Sequence, residues 1–236
     1  TVEAGIKSQG SRVIKNTSDQ ARRARIYKTD VVHNCDGQTT FIDGTARDRC
    51  HSEWTLLSDN EIVIASQQSY TLTYELSPDD KIDATGSYWG VIMVEEIKDL
   101  DTIAPQRGVT VTSLIRYAIQ IISNFNSEPV KDLEIIGVDI DTTKESNLVA
   151  VSVINRGNYM LKPIMILELY NDAGEQVFRT EIPYQKVYPG YCKLFELSIN
   201  EVPEGTYNGI LVADCGDENI YGINLEIDVP TPKSGI

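Results

Sequence analysis

The chain has 236 residues, of which 41% are hydrophobic and 24% charged, and its formal net charge is −14. That length allows two small domains or one large one, and that composition supports folded cores and excludes a globally disordered chain. The acidity is uneven, with 13 basic against 17 acidic residues through Asn126 and 8 against 18 beyond it, and it repels phosphate backbones, so nucleic acid is not an expected partner.

In chain order the elements read as β-strands. Val13-Ile-Lys leads into the turn Asn16-Thr17-Ser18-Asp19, and strands follow at Ala24–Val32, Glu61–Ala65, Ser69–Leu76 and Tyr88–Glu95. After the midpoint the same kind of run recurs at Leu148–Ile154, Ile164–Tyr170, Cys192–Ser198 and Asn208–Ala213. Each is short and rich in Val, Ile, Thr and Tyr, and turns such as Asn155-Arg156-Gly157-Asn158 and Asn171-Asp172-Ala173-Gly174 lie between them. No helix of three turns is evident. Evenly spaced short strands predict a sandwich or barrel.

The two halves repeat one another. Tyr70–Ser77 aligns with Tyr191–Ser198, Gly86–Glu95 with Gly205–Asp214, and Val13–Ser18 with Val153–Gly157, all in the same order. The expected architecture is therefore all-β, two tandem immunoglobulin-like β-sandwich domains over residues 1–126 and 127–236. Tyr88 and Tyr207, each just after a Gly-Ser or Gly-Thr turn, are candidates for the tyrosine corner of such sandwiches.

Four cysteines, Cys35, Cys50, Cys192 and Cys215, fall one pair to each half. That arrangement predicts two intradomain disulfides, Cys35 with Cys50 and Cys192 with Cys215, and an oxidising periplasmic or extracellular compartment. Zinc would need closer Cys spacing or clustered His, and only His33 and His51 are present. Both histidines read as exposed loop residues near the first cysteine pair. The acidic groups Asp79-Asp80-Asp83, Asp139 with Asp141, and Asp214 with Asp217 and Glu218 offer oxygen ligands for calcium but match no EF-hand loop; they read as solvated turns. Asn16-Thr17-Ser18 is a glycosylation sequon. There is no nucleophile elbow and no phosphate-binding glycine loop. The expectation is a non-enzyme without metal or cofactor.

The most informative segment is Arg107–Phe125. Its period-two alternation runs for about thirteen residues, roughly twice the usual strand length, and predicts one long strand ending the first domain. One face carries Ile115, Tyr117, Ile119 and Ile121, and the other Leu114, Arg116, Ala118 and Ile122. Such a strand either buries an apolar face in its own core or serves as a template for another chain's strand by β-augmentation, and it can do both. No stretch approaches the roughly 18 consecutive apolar residues of a membrane-spanning helix. The chain opens at Thr1 without a signal segment; removal of a signal peptide produces such a start, and so does shortening by other means.

These pieces resemble the periplasmic pilus (fimbrial) assembly chaperones, in a divergent form. The resemblance rests on Val13-Ile-Lys-Asn-Thr-Ser-Asp19, Trp54-Thr-Leu-Leu-Ser58, Gly86-Ser-Tyr-Trp-Gly-Val-Ile-Met-Val-Glu95 and Ile115-Arg-Tyr-Ala-Ile-Gln-Ile121. In the second half it rests on Asn155-Arg-Gly157, Pro189-Gly190 and Gly205-Thr-Tyr207. It implies two immunoglobulin-like domains and a pilin-like or other envelope subunit as partner. That subunit would be held by pairing with the last strand of domain one through Leu114, Ile115, Arg116, Tyr117, Ala118, Ile119 and Ile121. It also implies two basic residues gripping the subunit's terminal carboxylate, with Arg116 as one match and Lys7 or Arg12 as the other. The acidic charge, the cysteine-bearing insert and the few large apolar residues in Lys98–Gly108 depart from the pattern. The alternative expectation is a structural or adhesive subunit of a cell-envelope complex.

Overall fold

A computed structural model of the protein describes residues 2–42, 48–79, 85–97, 114–125, 128–141, 147–216 and 218–229. Their regular elements are all β-strands. The chain forms two compact units, one of Thr1–Val32 with Thr40–Ser127, the other of His33–Thr39 with Glu128–Ile236. Each is an immunoglobulin-like sandwich of two antiparallel sheets. The segment His33–Thr39, which the sequence placed in the first domain, clusters with the second unit.

In the first unit, β1 (Ser8–Lys15), β6 (Ser69–Leu76) and β4 (Thr55–Leu57) form one sheet in the order β1-β6-β4. The other sheet runs β3-β2-β7-β8, from β3 (Thr39–Ile42), β2 (Arg22–His33), β7 (Ser87–Ile97) and β8 (Arg116–Asn124), with β5 (Glu61–Ile64) also paired to β2. Period-two alternation builds the core from Ala24 and Ile26, Ile62 and Ile64, Leu72 and Leu76, Ile92 and Val94, and Ile121. β7 is central and buries its other face too, through Trp89, Val91 and Met93.

β2 loses its alternation at Thr29, where Thr29, Asp30 and Val31 are buried in succession. Its pairing with β7 stops at Thr29 opposite Val91. The Cys50 segment then takes the vacated position beside β7: Trp89 N donates to Arg49 O at 3.0 Å and His51 N to Trp89 O at 3.1 Å. A polar stretch can enter a core here because its backbone completes a ladder that would otherwise leave orphan groups.

In the second unit, β13 (Cys192–Ser198), β10 (Leu148–Asn155) and β9 (Leu133–Asp141) form a sheet in the order β13-β10-β9. It faces the sheet β12-β11-β14-β15, from β12 (Gln176–Ile182), β11 (Ile164–Tyr170), β14 (Gly205–Asp214) and β15 (Ile220–Val229). Val149, Val151 and Val153 of β10, Met165, Leu167 and Leu169 of β11, and Phe195 and Leu197 of β13 are fully or almost fully buried. At roughly 25 cal/mol per Å² of apolar area, each such side chain contributes about 1.5–3 kcal/mol.

Both units are closed by the same device. Asn16 follows β1, and its amide donates to Gln20 O at 2.8 Å and Ile64 O at 3.0 Å, while its Oδ1 accepts from Ser18 N at 3.0 Å. Asn155 ends β10, and its amide donates to Tyr159 O at 2.7 Å and Val187 O at 2.9 Å, while its Oδ1 accepts from Gly157 N at 2.9 Å. Each ties a turn to a distant loop from a buried position. The sequon asparagine is thus a structural residue, and its amide is committed to backbone carbonyls. Tyr207 forms the expected corner, its hydroxyl donating to Pro203 O at 3.1 Å. Tyr88 instead packs with Trp54 and Phe125.

The cysteine pairing differs from the expectation. The disulfide joins Cys35 to Cys192, with Cα atoms 4.7 Å apart and a sequence separation of 157. Cys50 and Cys215 are thiols outside any disulfide. Spacing suggested neighbouring cysteines, but Cys35 belongs to the second unit, with Cys192, and Cys50 to the first. The histidines are not surface residues either. His51 is fully buried, and His33 is half-buried and stacked on Tyr188, ring centroids 4.4 Å apart.

Candidate functional site: the edge strand of the first unit

β8 is an edge strand of its sheet. It runs from Arg116 to Asn124, nine residues, and is shorter than the strand read from the sequence; residues 107–113 lie outside the described residues, and Leu114 and Ile115 precede the strand. Phe125 N donates to Gly86 O and Glu96 N to Ile115 O, with an unbroken register between. Odd-numbered residues of β8 therefore turn their backbone groups toward β7, and even-numbered residues turn theirs outward. Val2 closes one end of this outer edge. Its N donates to Asn124 O at 2.8 Å, it bridges Phe125 in parallel, and its side chain joins the core. Among the described residues no strand covers the outward groups of Arg116, Ala118 and Ile122.

The odd-numbered row grades from core to solvent. Ile121 is 4% exposed and Ile119 packs partly on the core, whereas Tyr117 is 65% and Ile115 47% exposed. Leu114 is half exposed as well. Large apolar side chains thus project beyond the sandwich at the start of an open strand, and two grooves flank them. One, about 420 Å³, is lined by Ile14, Ala24, Ile64, Val94, Ile115 and Tyr117, with Lys15, Arg22 and Arg23 at its rim. The other, about 800 Å³, lies on the opposite face and is lined by Tyr27, Phe41, Met93 and Ala118 together with Arg25, Lys28 and Arg116. In this second groove Glu95 Oε2 accepts from Arg116 Nε at 2.6 Å and from Tyr27 OH at 3.2 Å.

No family model matches the chain. No curated protein matches it in sequence. Solved structures do match it. The class 5 fimbriae chaperone CfaA aligns over 98% of this chain and 95% of its own at 14% identity, with a TM-score of 0.50. A chain of the chaperone–tip adhesin complex of CFA/I fimbriae biogenesis aligns over 97% of this chain and 95% of its own, also at 14% identity and a TM-score of 0.50. The chain has the fold of the fimbrial chaperones.

Against the residue roles that the resemblance implied, the geometry is selective. Ile115, Tyr117, Ile119 and Ile121 do form one row, and Arg116 and Ala118 do face the other side. The basic pair is not assembled. Lys7 donates to Glu75 at 2.7 Å and Arg12 lies over the Tyr74 ring, both at the β1-β6 sheet, whereas Arg116 is held by Glu95 on the other sheet.

Sequence reasoning missed His51. Its Nε2 donates to Ile121 O at 3.1 Å, and its Nδ1 lies 3.1 Å from Thr55 Oγ1. The Thr55 hydroxyl is shared with His51 O at 2.8 Å. The ring reaches β8 because it crosses β7 at Gly90, where a Cβ would come within 2.9 Å of Nδ1. Burial pushes the His51 pKa down to about 4, outweighing the backbone hydrogen bonds that favour its charged form. The ring is therefore neutral at pH 7 and positions β8 without access to solvent.

Nearby Asp30 is also buried, and burial raises its pKa. Ser52 and the Cys50 thiol lie close enough to oppose that shift, yet neither carboxylate oxygen makes a hydrogen bond of full geometry. Among the described residues no three His, Cys, Asp or Glu side chains converge as metal ligands, and no helix is long and apolar enough to cross a membrane.

Proposed function

We propose that the protein is a periplasmic assembly chaperone that binds a pilin-like or other envelope subunit by strand pairing along the outer edge of β8. One observation carries the reading: among the described residues no strand lies beside the outward backbone groups of Arg116, Ala118 and Ile122, next to an exposed apolar row at Ile115 and Tyr117. Unprotected edges of this kind invite pairing with another chain. Main-chain hydrogen bonds would supply affinity and the row would supply specificity. The fold shared with fimbrial chaperones supports the role, and the Cys35–Cys192 disulfide supports an oxidising compartment. The role needs no catalytic group.

The test uses Ala118→Pro. Ala118 N–H points away from β7, so proline removes an outward donor and leaves the inner ladder intact, as proline on natural edge strands does. Protein recovered from its native envelope should bring a subunit with it, and Ala118→Pro and Tyr117→Asp should each lose that subunit. Unchanged recovery with both variants refutes the pairing mechanism. A partner retained through purification and never exchanged points to a permanent envelope subunit instead.

A further inference from the structure

The protein is strongly acidic, yet the two grooves beside the start of β8 are basic. Lys15, Arg22 and Arg23 line one, and Arg25, Lys28 and Arg116 the other, against the acids Glu96 and Glu95. Both acids are already held, Glu96 by Arg22 at 2.9 Å and Glu95 by Arg116. Arg23 is paired with Glu61 at 2.6 Å. Among the described residues Lys15 and Arg25 have no ion-pair partner, one at each groove. A strand entering along β8 would send its side chains alternately to the two sides, so both rows would pass a cationic rim with an apolar floor.

We propose that this basic collar selects the partner's pairing segment by charge, so that the preferred occupant is an extended peptide in which apolar and acidic residues come in successive pairs, which places both kinds on each side of the strand. The proposal rests on β8 being the pairing edge. Carboxylates there would meet Lys15 and Arg25 while apolar side chains cover Ile14, Val94, Tyr27 or Met93. Charge complementarity of this kind adds modest affinity and large discrimination against the wrong sign.

Three synthetic peptides test it by fluorescence polarisation at low salt, built on Val-Val-Asp-Asp, Val-Val-Thr-Thr and Val-Val-Lys-Lys repeats (the Val–Asp, Val–Thr and Val–Lys peptides), each about seven residues long to match the open edge. The Val–Asp peptide should bind tightest and the Val–Lys peptide weakest, and high salt should compress the ranking. Lys15→Gln with Arg25→Gln should weaken Val–Asp binding roughly three- to tenfold and leave Val–Thr binding unchanged. Ala118→Pro should abolish binding of all three. Tryptophan emission checks that both variants are folded, since Trp54 and Trp89 are the chain's two tryptophans. If the double variant keeps the acidic preference while Ala118→Pro loses binding, the charge proposal fails and the pairing edge stands. Full binding to Ala118→Pro overturns both. Absence of any ranking, or equal competition by a sulfated polysaccharide that ignores Ala118→Pro, overturns the peptide selection.

Discussion

Acid should loosen the first unit through His51, by an amount the structure sets. The ring titrates near 4 in the folded protein against 6.5 for a solvated histidine. Between those values the unfolded chain binds the proton and the folded one does not, so the stabilisation is complete above pH 6.5 and is lost as pH falls toward 4. At 1.36 kcal/mol per unit, the full loss is about 3 kcal/mol, and the part lost between pH 7 and pH 4.5 is about 2 kcal/mol. Asp30, whose pKa is raised, works in the opposite direction: acid relieves its burial cost and offsets some of the loss at the bottom of the range.

Urea unfolding followed by tryptophan emission isolates the effect, because Trp54 and Trp89 both belong to the first unit. Wild-type protein should lose about 2 kcal/mol between pH 7 and pH 4.5 beyond what His51→Gln loses. Glutamine keeps a donor for Ile121 O but does not titrate. Identical pH dependence in the two proteins would refute the assignment of His51 as the buried, neutral link between the Cys50 segment and β8.

Other consequences are equally direct. Asn155→Ala should destabilise the second unit, and Asn16→Ala the first, by about 1–3 kcal/mol each, because buried carbonyls lose their donors; separate unfolding transitions by calorimetry check this. Gly90→Ala should displace the His51 ring and cost about 1–3 kcal/mol, read by the same tryptophan assay. Non-reducing peptide mapping should recover Cys35 linked to Cys192 and alkylated Cys50 and Cys215. Cys215 should react with alkylating reagents only slowly in the folded protein, since burial and neighbouring Asp214 push its thiol up to about 11.

The sandwich architecture was legible because alternation and turn residues are local signals. β6, β11 and β13 begin and end where the pattern said they would. The internal repeat was real but misaligned. Lys15 lies opposite Ser69 and Ile154 opposite Cys192, which shifts the β6–β13 match by two residues from the sequence alignment. A slip of two keeps every side chain on its own face, so the hydrophobic pattern could not reveal it; the shared Asn16 and Asn155 contacts do.

What the sequence could not show was long-range. Nothing local marks the point where β2 leaves β7, so the cysteine pairing and the burial of His51 were both misread. The exposed half of β8 was legible as an apolar row. Its open edge and its basic flanks depend on which strands lie beside it.

The disulfide has a consequence for how the protein is made. Cys35 and Cys50 are only fifteen positions apart, whereas Cys192 is synthesised 142 positions after Cys50. Closing a short loop is entropically easier than closing one of 157 positions. Oxidation on the nascent chain therefore favours the wrong bridge, and the native one demands either delay or exchange through a mixed disulfide. Biogenesis should lean on a thiol isomerase, and a depleted cell should accumulate a form in which Cys35 is locked to Cys50 and Cys192 is left as a thiol.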